Sequence, residues 1–308
     1  MIILLNKNSG GGTALRKWDR IYRKLKLNGS TETFIVGVNG STDKFILDLI
    51  KKGETDFVIA GGDGSINYFL NLVMSSVEQN ILKQIKIGAV GIGSSNDFHK
   101  PFHPNNTIGN VPYKINFKDA VERDVGCLLY EKDGELLKKY FLINASLGIT
   151  AEGNNLFNNP DFILRSLKKM STQSAITYTV IKNILTYKNF KVTIGGYNES
   201  FTATISNVGI LKSPFFTGKL RYQSDPLPDN GLFDVHLYHS LSKVKLLKLF
   251  YNLSKSKSDI SLNKKFWRTD RIKISSETKF TVEFDGEVIT TKSAEFSVIP
   301  GLIKVCIN

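Results

Sequence analysis

Cysteine is nearly missing from this chain: Cys127 and Cys306 are the only two in 308 residues. They lie far apart, and neither has a neighbour at metal-ligand spacing, which excludes a disulfide scaffold and a cysteine-based metal site. Two reduced, buried thiols in a cytosolic chain are expected instead. Long apolar runs are missing as well. None reaches the roughly 20 residues that a bilayer-crossing helix needs, and the opening run at residues 2–5 is too short for a secretion signal, so a soluble or peripherally attached protein is expected. No internal repeat, low-complexity tract or long linker occurs, which excludes a repeat architecture.

Acidic residues are missing from one stretch altogether. Residues 163–191 hold six Lys or Arg and no Asp or Glu, and residues 243–273 hold ten against two. These segments carry +6 and +8 of a net +13, leaving the rest of the chain at −1. Basic surface confined to the later half implies a polyanionic partner there, an anionic membrane or a nucleic acid. A merely solvated basic face is the plain alternative.

What the chain does have is glycine in the right places. Hydrophobic residues make up 41%, enough for ordinary cores, and the length allows two domains. The apolar run at residues 57–60 reads as a buried strand and leads into Gly61-Gly62-Asp63-Gly64-Ser65-Ile66-Asn67. Ile66, Phe69, Leu70 and Val73 follow at helical spacing. Strand, glycine turn and helix in this order leave room for a ligand near the backbone, and free N–H groups at a helix start suit a phosphate. Asp63 fits only if a Mg²⁺ ion or water separates it from that phosphate; a tight αβ turn, which Asp and Gly both favour, is the other reading.

The same rhythm recurs before and after. Residues 2–5 read as a strand followed by the loop Asn6-Lys-Asn-Ser9-Gly10-Gly-Gly, then a helix from Thr13 to about Leu27. A strand at 34–38, a helix at 43–51 and a strand at 56–60 follow, then a strand at 85–90 that ends in Gly91-Ile-Gly93-Ser94-Ser95-Asn96-Asp97-Phe98. Neither a Gly-x-Gly-x-x-Gly fingerprint nor a P-loop lysine is present, so neither commoner nucleotide fold is indicated. Alternating strands and helices argue for a parallel sheet covered on both faces, with ligands at the carboxyl ends of its strands. After about Asp124 the pattern turns to antiparallel β. Strands are expected near 125–130, 139–145, 190–194, 201–208, 232–238, 271–274, 279–284, 294–298 and 303–307, with basic helices at 162–186 and 244–253.

Four motifs in order, Asn6-Lys-Asn-Ser-Gly10, Gly61 to Asn67, Gly91 to Phe98 and Phe284-Asp285-Gly286-Glu287, with Asp229-Asn230-Gly231-Leu232-Phe-Asp between the last two, resemble the diacylglycerol kinase catalytic family. That family includes bacterial soluble lipid kinases and sphingosine kinases, and the resemblance covers nearly the whole chain. It implies an N-terminal Rossmann-like parallel α/β domain at 1–124 that binds ATP, and a mainly antiparallel β-sandwich domain at 125–295 that receives the lipid. The last strand, about 296–308, would pack back on the first domain.

Carried over by position, Asn6, Ser9 and Gly10 would contact the nucleotide. Gly61, Gly62, Asp63, Gly64, Ser65 and Asn67 would hold its phosphates, and Gly93, Ser94, Ser95, Asn96 and Asp97 would close the pocket. Asp63 and Asp97 would organise Mg²⁺, partly through water. Asp285 would be the general base and Glu287 its supporting carboxylate, because a lipid hydroxyl must lose its proton as it attacks the γ-phosphoryl group. The family's structural Mg²⁺ would map to Leu227, Asn230 and Leu232. Asn230 replaces a carboxylate there, so a weaker or empty site is expected.

The chain also departs from the pattern. Tyr68 stands where the family usually has Glu, Ser65 where it has Thr, and His99-Lys100 where it commonly has Ala-Arg. No motif recruits His99, His103, His236 or His239. Taken together, these features imply an ATP- and Mg²⁺-dependent lipid kinase, cytoplasmic and peripheral on an anionic membrane, with diacylglycerol as the first guess for acceptor and no nucleic-acid partner. An NAD kinase-like enzyme and a non-catalytic nucleotide- or membrane-binding protein are the alternatives.

Overall fold

The computed structural model describes residues 1–25, 31–37, 40–196, 199–257 and 262–307. Four strands, β1 (Ile2–Asn6), β2 (Glu32–Val36), β3 (Asp56–Gly61) and β4 (Lys86–Gly91), pair in parallel in the order β2, β1, β3, β4. Their side chains alternate between two faces. On one face Ile2, Leu4, Phe57, Ile59 and Ile87 pack on Ile46 and Ile50 of the Gly40–Lys51 helix and on Ile66, Phe69, Leu70 and Val73 of the Asp63–Ser76 helix. On the other, Ile3, Leu5, Val58, Ala60 and Val90 pack on Ala14, Trp18 and Ile21 of the Ala14–Ile21 helix. Burial on both faces is why β1 and β3 read as unbroken apolar runs. The carboxyl ends Asn6, Gly61 and Gly91 share one edge, where the three glycine loops begin.

The later half is mainly antiparallel. Strands Asn116–Lys132, Asn144–Gly148, Phe190–Gly195, Ser200–Leu211, Phe233–His239, Arg271–Phe284 and Glu287–Ile307 enclose a core that includes Leu128, Phe141, Leu147, Val208, Phe233, Val282 and Phe296. Glu287–Ile307, at 21 residues, pairs along most of its length with Asn116–Lys132 and then lies parallel to β4 through Lys304 and Val305. Helices Ile149–Asn158, Phe162–Met170, Thr172–Thr186 and Lys243–Lys255 form a layer beside this sheet.

Several expected boundaries move. The first helix ends at Ile21 and runs on as a 3-10 turn, Tyr22–Lys24; its expected end at Leu27 lies outside the described residues, as does Val38. The basic region at 162–186 is two helices, because Ser171 caps a new start by accepting the N–H of Ser174. Strands expected separately at 271–274 and 279–284 are one, bent by a register shift between Ser275 and Phe280. The Ile149–Asn158 helix and the Lys264–Thr269 strand had no clear period in the sequence.

Candidate active site

The first two glycine loops meet through hydroxyls. Asn6 donates through Nδ2 to Ser65 Oγ at 2.9 Å, and Ser9 Oγ lies 3.3 Å from the same oxygen. Gly10 has φ of 59°, and a Cβ there would meet the Ile92 carbonyl at 2.6 Å. Gly62 and Gly93 touch still more closely: a Cβ on Gly93 would fall 2.4 Å from Gly62 Cα. Only two glycines let the loops approach this far.

Asp63 ties the second loop to the third. Its two carboxylate oxygens accept the N–H groups of Asp97 and Phe98, each at 3.0 Å. Burial, and then Asp97 beside it, push its pKa up to about 6. Asp97 accepts from Lys100 Nζ at 2.7 Å and from Gly218 N–H at 3.2 Å, so the third loop is also held to the later half of the chain. Asn96, at φ of 53°, locks its own turn by donating to the Gly91 carbonyl and accepting the Gly93 N–H. Both aspartates expected to organise Mg²⁺ thus already carry hydrogen bonds. Among the described residues no three His, Cys, Asp or Glu side chains form a ready metal cage. Asp63 and Asp97 both line the cavity described below, and one or two carboxylates beside phosphate oxygens and water are the usual surroundings of Mg²⁺.

Asp285 sits in a two-residue hairpin turn with Gly286, their φ values 45° and 90°, between paired Phe284 and Glu287. Its Oδ1 accepts the N–H groups of Ile143 and Asn144 at 3.0 and 3.1 Å; Oδ2 accepts that of Leu142 at 2.8 Å and, more weakly, Asn67 Nδ2 at 3.4 Å. Burial outweighs these bonds and raises the pKa to about 6. Asn67, expected among phosphate contacts, points away from the loops, towards Asp285 and the Tyr140 carbonyl. Glu287 is exposed and faces Gly64, where a Cβ would meet its Oε1 at 3.7 Å. Tyr68 turns its hydroxyl to Asp43.

One acid escaped the sequence reading. Glu283 is buried, accepting from Ser146 Oγ at 2.7 Å and from Gly286 N–H at 2.8 Å, and burial raises its pKa to about 7. The signal was the polar alternation Thr281, Glu283, Asp285 on one face of a strand whose other face is Phe280, Val282 and Phe284. Asp63, Glu283 and Asp285 all bind protons more tightly when folded, so they favour the folded state below about pH 4 and cease to do so as pH rises through about 6 to 7. Thermal melting should accordingly shift upward between neutral and mildly acidic pH, and Glu283→Gln, which can keep both hydrogen bonds, should flatten that slope. An unchanged slope in the variant would show Glu283 ionised throughout.

Asp63, Gly93, Ser94, Ser95, Asn96, Asp97, Glu283, Asp285 and Gly286 face one cavity of about 1900 Å³, whereas Asn6, Ser9, Gly10, Gly61, Gly62, Gly64, Ser65, Asn67 and Glu287 are not on its wall. Its wall includes Gly93, Ser94, Ser95, Asp97 and Lys17, the acids Asp63, Glu283 and Asp285 with Gly286, and the apolar Ile149, Phe157, Ile176, Val180, Leu247 and Phe250. Sites for one small ligand span roughly 300–1,000 Å³, so this space can seat two substrates. Of the four histidines only His103 lines it. Leu227, Asn230 and Leu232 do not; Leu227 is exposed, while the Asn230 amide oxygen and the Leu232 carbonyl face Lys212 Nζ at 3.2 and 2.9 Å. An ammonium already in that place does not leave those oxygens for a Mg²⁺.

The chain is similar to known proteins over most of its length. Residues 1–128 match the family described as the diacylglycerol kinase catalytic domain, and residues 145–307 the YegS C-terminal NAD kinase beta sandwich-like domain. A candidate lipid kinase of Staphylococcus carnosus (strain TM300) is 23% identical over 257 residues, 81% of this chain and 76% of that protein. A YegS-like candidate from Shewanella frigidimarina is 24% identical over 266 residues, 85% and 79% of the two chains. A candidate diacylglycerol kinase structure from Bacillus anthracis superposes with a TM-score of 0.72 at 18% identity, covering 100% of this chain and 94% of that one.

Proposed function

The chain belongs to the diacylglycerol kinase catalytic family and is a phosphotransferase with an alcohol acceptor on a lipid-like substrate; from that premise we propose that it transfers the γ-phosphoryl group of ATP to a hydroxyl of a membrane lipid, diacylglycerol first. The observation that carries this reading is one large cavity whose wall holds the third glycine loop with Asp63, the buried Asp285 and apolar helical side chains. Residues 1–124 hold the nucleotide, with its phosphates beside Asp63, at the start of the Asp63–Ser76 helix, and against Gly93 to Asp97. Residues 125–295 hold the lipid, its acyl chains among Ile176, Val180, Leu247 and Phe250. The acceptor oxygen gives its proton to Asp285 Oδ2, which accepts the Leu142 N–H at 2.8 Å and Asn67 Nδ2 at 3.4 Å in the free site, as that oxygen bonds to phosphorus and ADP leaves. A Mg²⁺ arriving with the nucleotide would neutralise charge on the phosphoryl oxygens. Labelled ATP and Mg²⁺ offered with a mixed-micelle panel of lipids, NAD included, test the reading: label in a lipid is expected, and label in NAD alone would replace it.

The same helices support peripheral docking on an anionic bilayer, at the cytoplasmic face. No described helix is long and apolar enough to cross a membrane. Phe162, Met170, Leu185 and Val244 are 84%, 80%, 71% and 78% exposed, beside Lys168, Lys169, Lys245 and Lys248. Apolar side chains set among lysines suit a lipid interface, each basic residue adding roughly 1 kcal/mol near an anionic surface. Phe162→Asp with Lys168, Lys169, Lys245 and Lys248 reversed to Glu should abolish sedimentation with anionic vesicles at moderate salt. Turnover of a short-chain, monodisperse acceptor should persist. Unimpaired vesicle binding in that variant would place docking on another surface.

A further inference from the structure

Lys212 is a buried cation that the reaction does not use. It follows the Ser200–Leu211 strand, its side chain is 1% exposed, and its ammonium donates to Asp124 Oδ2 at 2.6 Å, Leu232 O at 2.9 Å and Asn230 Oδ1 at 3.2 Å. An ammonium has three donors, and three oxygens take them all. Asp124 is equally buried: Oδ2 also accepts the Gly231 N–H at 2.7 Å, and Oδ1 accepts that of Gly301 at 3.2 Å. One ion pair therefore joins the 228–232 turn, two long strands and the point where Glu287–Ile307 shifts register between Ile299 and Ile303. The backbone of the same residue reaches the active site. Lys212 and Ser213 donate their N–H groups to the Ile143 carbonyl at 2.9 and 2.8 Å, and the Ile143 N–H is one of those that hold Asp285.

We propose that Lys212 is the resident cation of this joint, a positioning residue that does for the Asn230 and Leu232 oxygens what a divalent ion would do, and so holds residues 142–144 on Asp285 without a metal at the turn. The pairing of residue types supports it. An amide at position 230 leaves Asp124 as the one carboxylate that touches the ammonium, while Asp229 and Arg123, nearby and of opposite sign, offset each other; a divalent ion in the same place would touch a single carboxylate. The proposal leans on the kinase reading only for the role of Asp285; the cation itself is testable without any substrate.

The experiment is thermal melting of the nucleotide-free protein with Mg²⁺ and with chelator. Wild type should melt alike in both. Lys212→Met, nearly isosteric but uncharged, strands a buried carboxylate and should lower the midpoint by on the order of 10 °C in either buffer. Lys212→Ser combined with Asn230→Asp empties the place of the ammonium and adds an anionic ligand, so its melting should become Mg²⁺-dependent. Asn230→Asp alone, with the lysine kept, should not. A Mg²⁺-dependent rise in wild type that Asn230→Ala removes would overturn the proposal, as would a Mg²⁺-dependent rise in the Asn230→Asp single variant. For positioning, the acid limb of turnover against pH is the separating readout. Lys212→Met should move it to higher pH, because looser backbone donors bind the ionised carboxylate less well, with the KM for ATP unchanged; a lowered midpoint with an unmoved limb would reduce Lys212 to a structural role.

Discussion

Purified Asp285→Asn will bind ATP much as the wild type does and will transfer its phosphoryl group at least about 100-fold more slowly. The substitution keeps size and removes the proton acceptor. It also puts an amide N–H₂ against at least one of the N–H groups of Leu142, Ile143 and Asn144, which leaves donors facing donors in a buried place. A stability loss of about 1–3 kcal/mol should accompany it. The two effects separate by temperature: well below the melting transition the variant is folded, nucleotide binding is intact, and only turnover is lost. In the wild type, turnover at limiting substrate should fall about tenfold per pH unit below about 6 and level off above, since the base must be ionised and burial raises its pKa to about 6. Full turnover in Asp285→Asn would remove the aspartate from the chemistry and leave it as an anchor for residues 142–144.

Gly93→Ala should be nearly as damaging, and in a different constant. One added methyl would stand 2.4 Å from Gly62 Cα, a backbone atom that cannot swing aside. The loops must separate, and Asp63, which accepts from residues 97 and 98 of the third loop, must move with them. A displacement of about 1 Å in a group that aligns phosphates costs on the order of 10²-fold. The expected result is a raised KM for ATP with a lowered kcat, while vesicle binding and the KM for a short-chain acceptor stay put. Wild-type kinetics in Gly93→Ala would show that the nucleotide lies elsewhere.

The parallel half of the fold was legible because its signals are local. An apolar run, a glycine turn and a helical period stand next to each other at β1 and at β3, and the burial of those two strands is written in their own residues. The antiparallel half was legible only as a class. A strand such as Asn116–Lys132 is polar at one end and apolar at the other, so its length depends on partners far away in the chain. Ile149–Asn158 hides behind a strand-like Ser-Leu-Gly-Ile lead and a mid-helix Gly153. At the site, Gly61 to Ser65 and Asp285 announced themselves by motif. Glu283 did not, and Asn67 was read with the phosphates, since the partners of both are set by which way a side chain points across 137 and 218 residues of chain. Lys212 looked like any surface lysine until the fold closed over it.

The last strand also sets an order of assembly. Lys304 and Val305 lie beside Lys86 and Ile87, and Leu302, Ile303 and Val305 fill the core under β3 and β4. A ribosome releases the first half long before those residues emerge, so the nascent sheet waits with β4 half-edged and part of its core open. Contacts this far apart in sequence close late, because loop closure comes before any reward. The glycine loops at the ends of β3 and β4 therefore gain their full support only once residues 302–305 have been made and have closed onto β4.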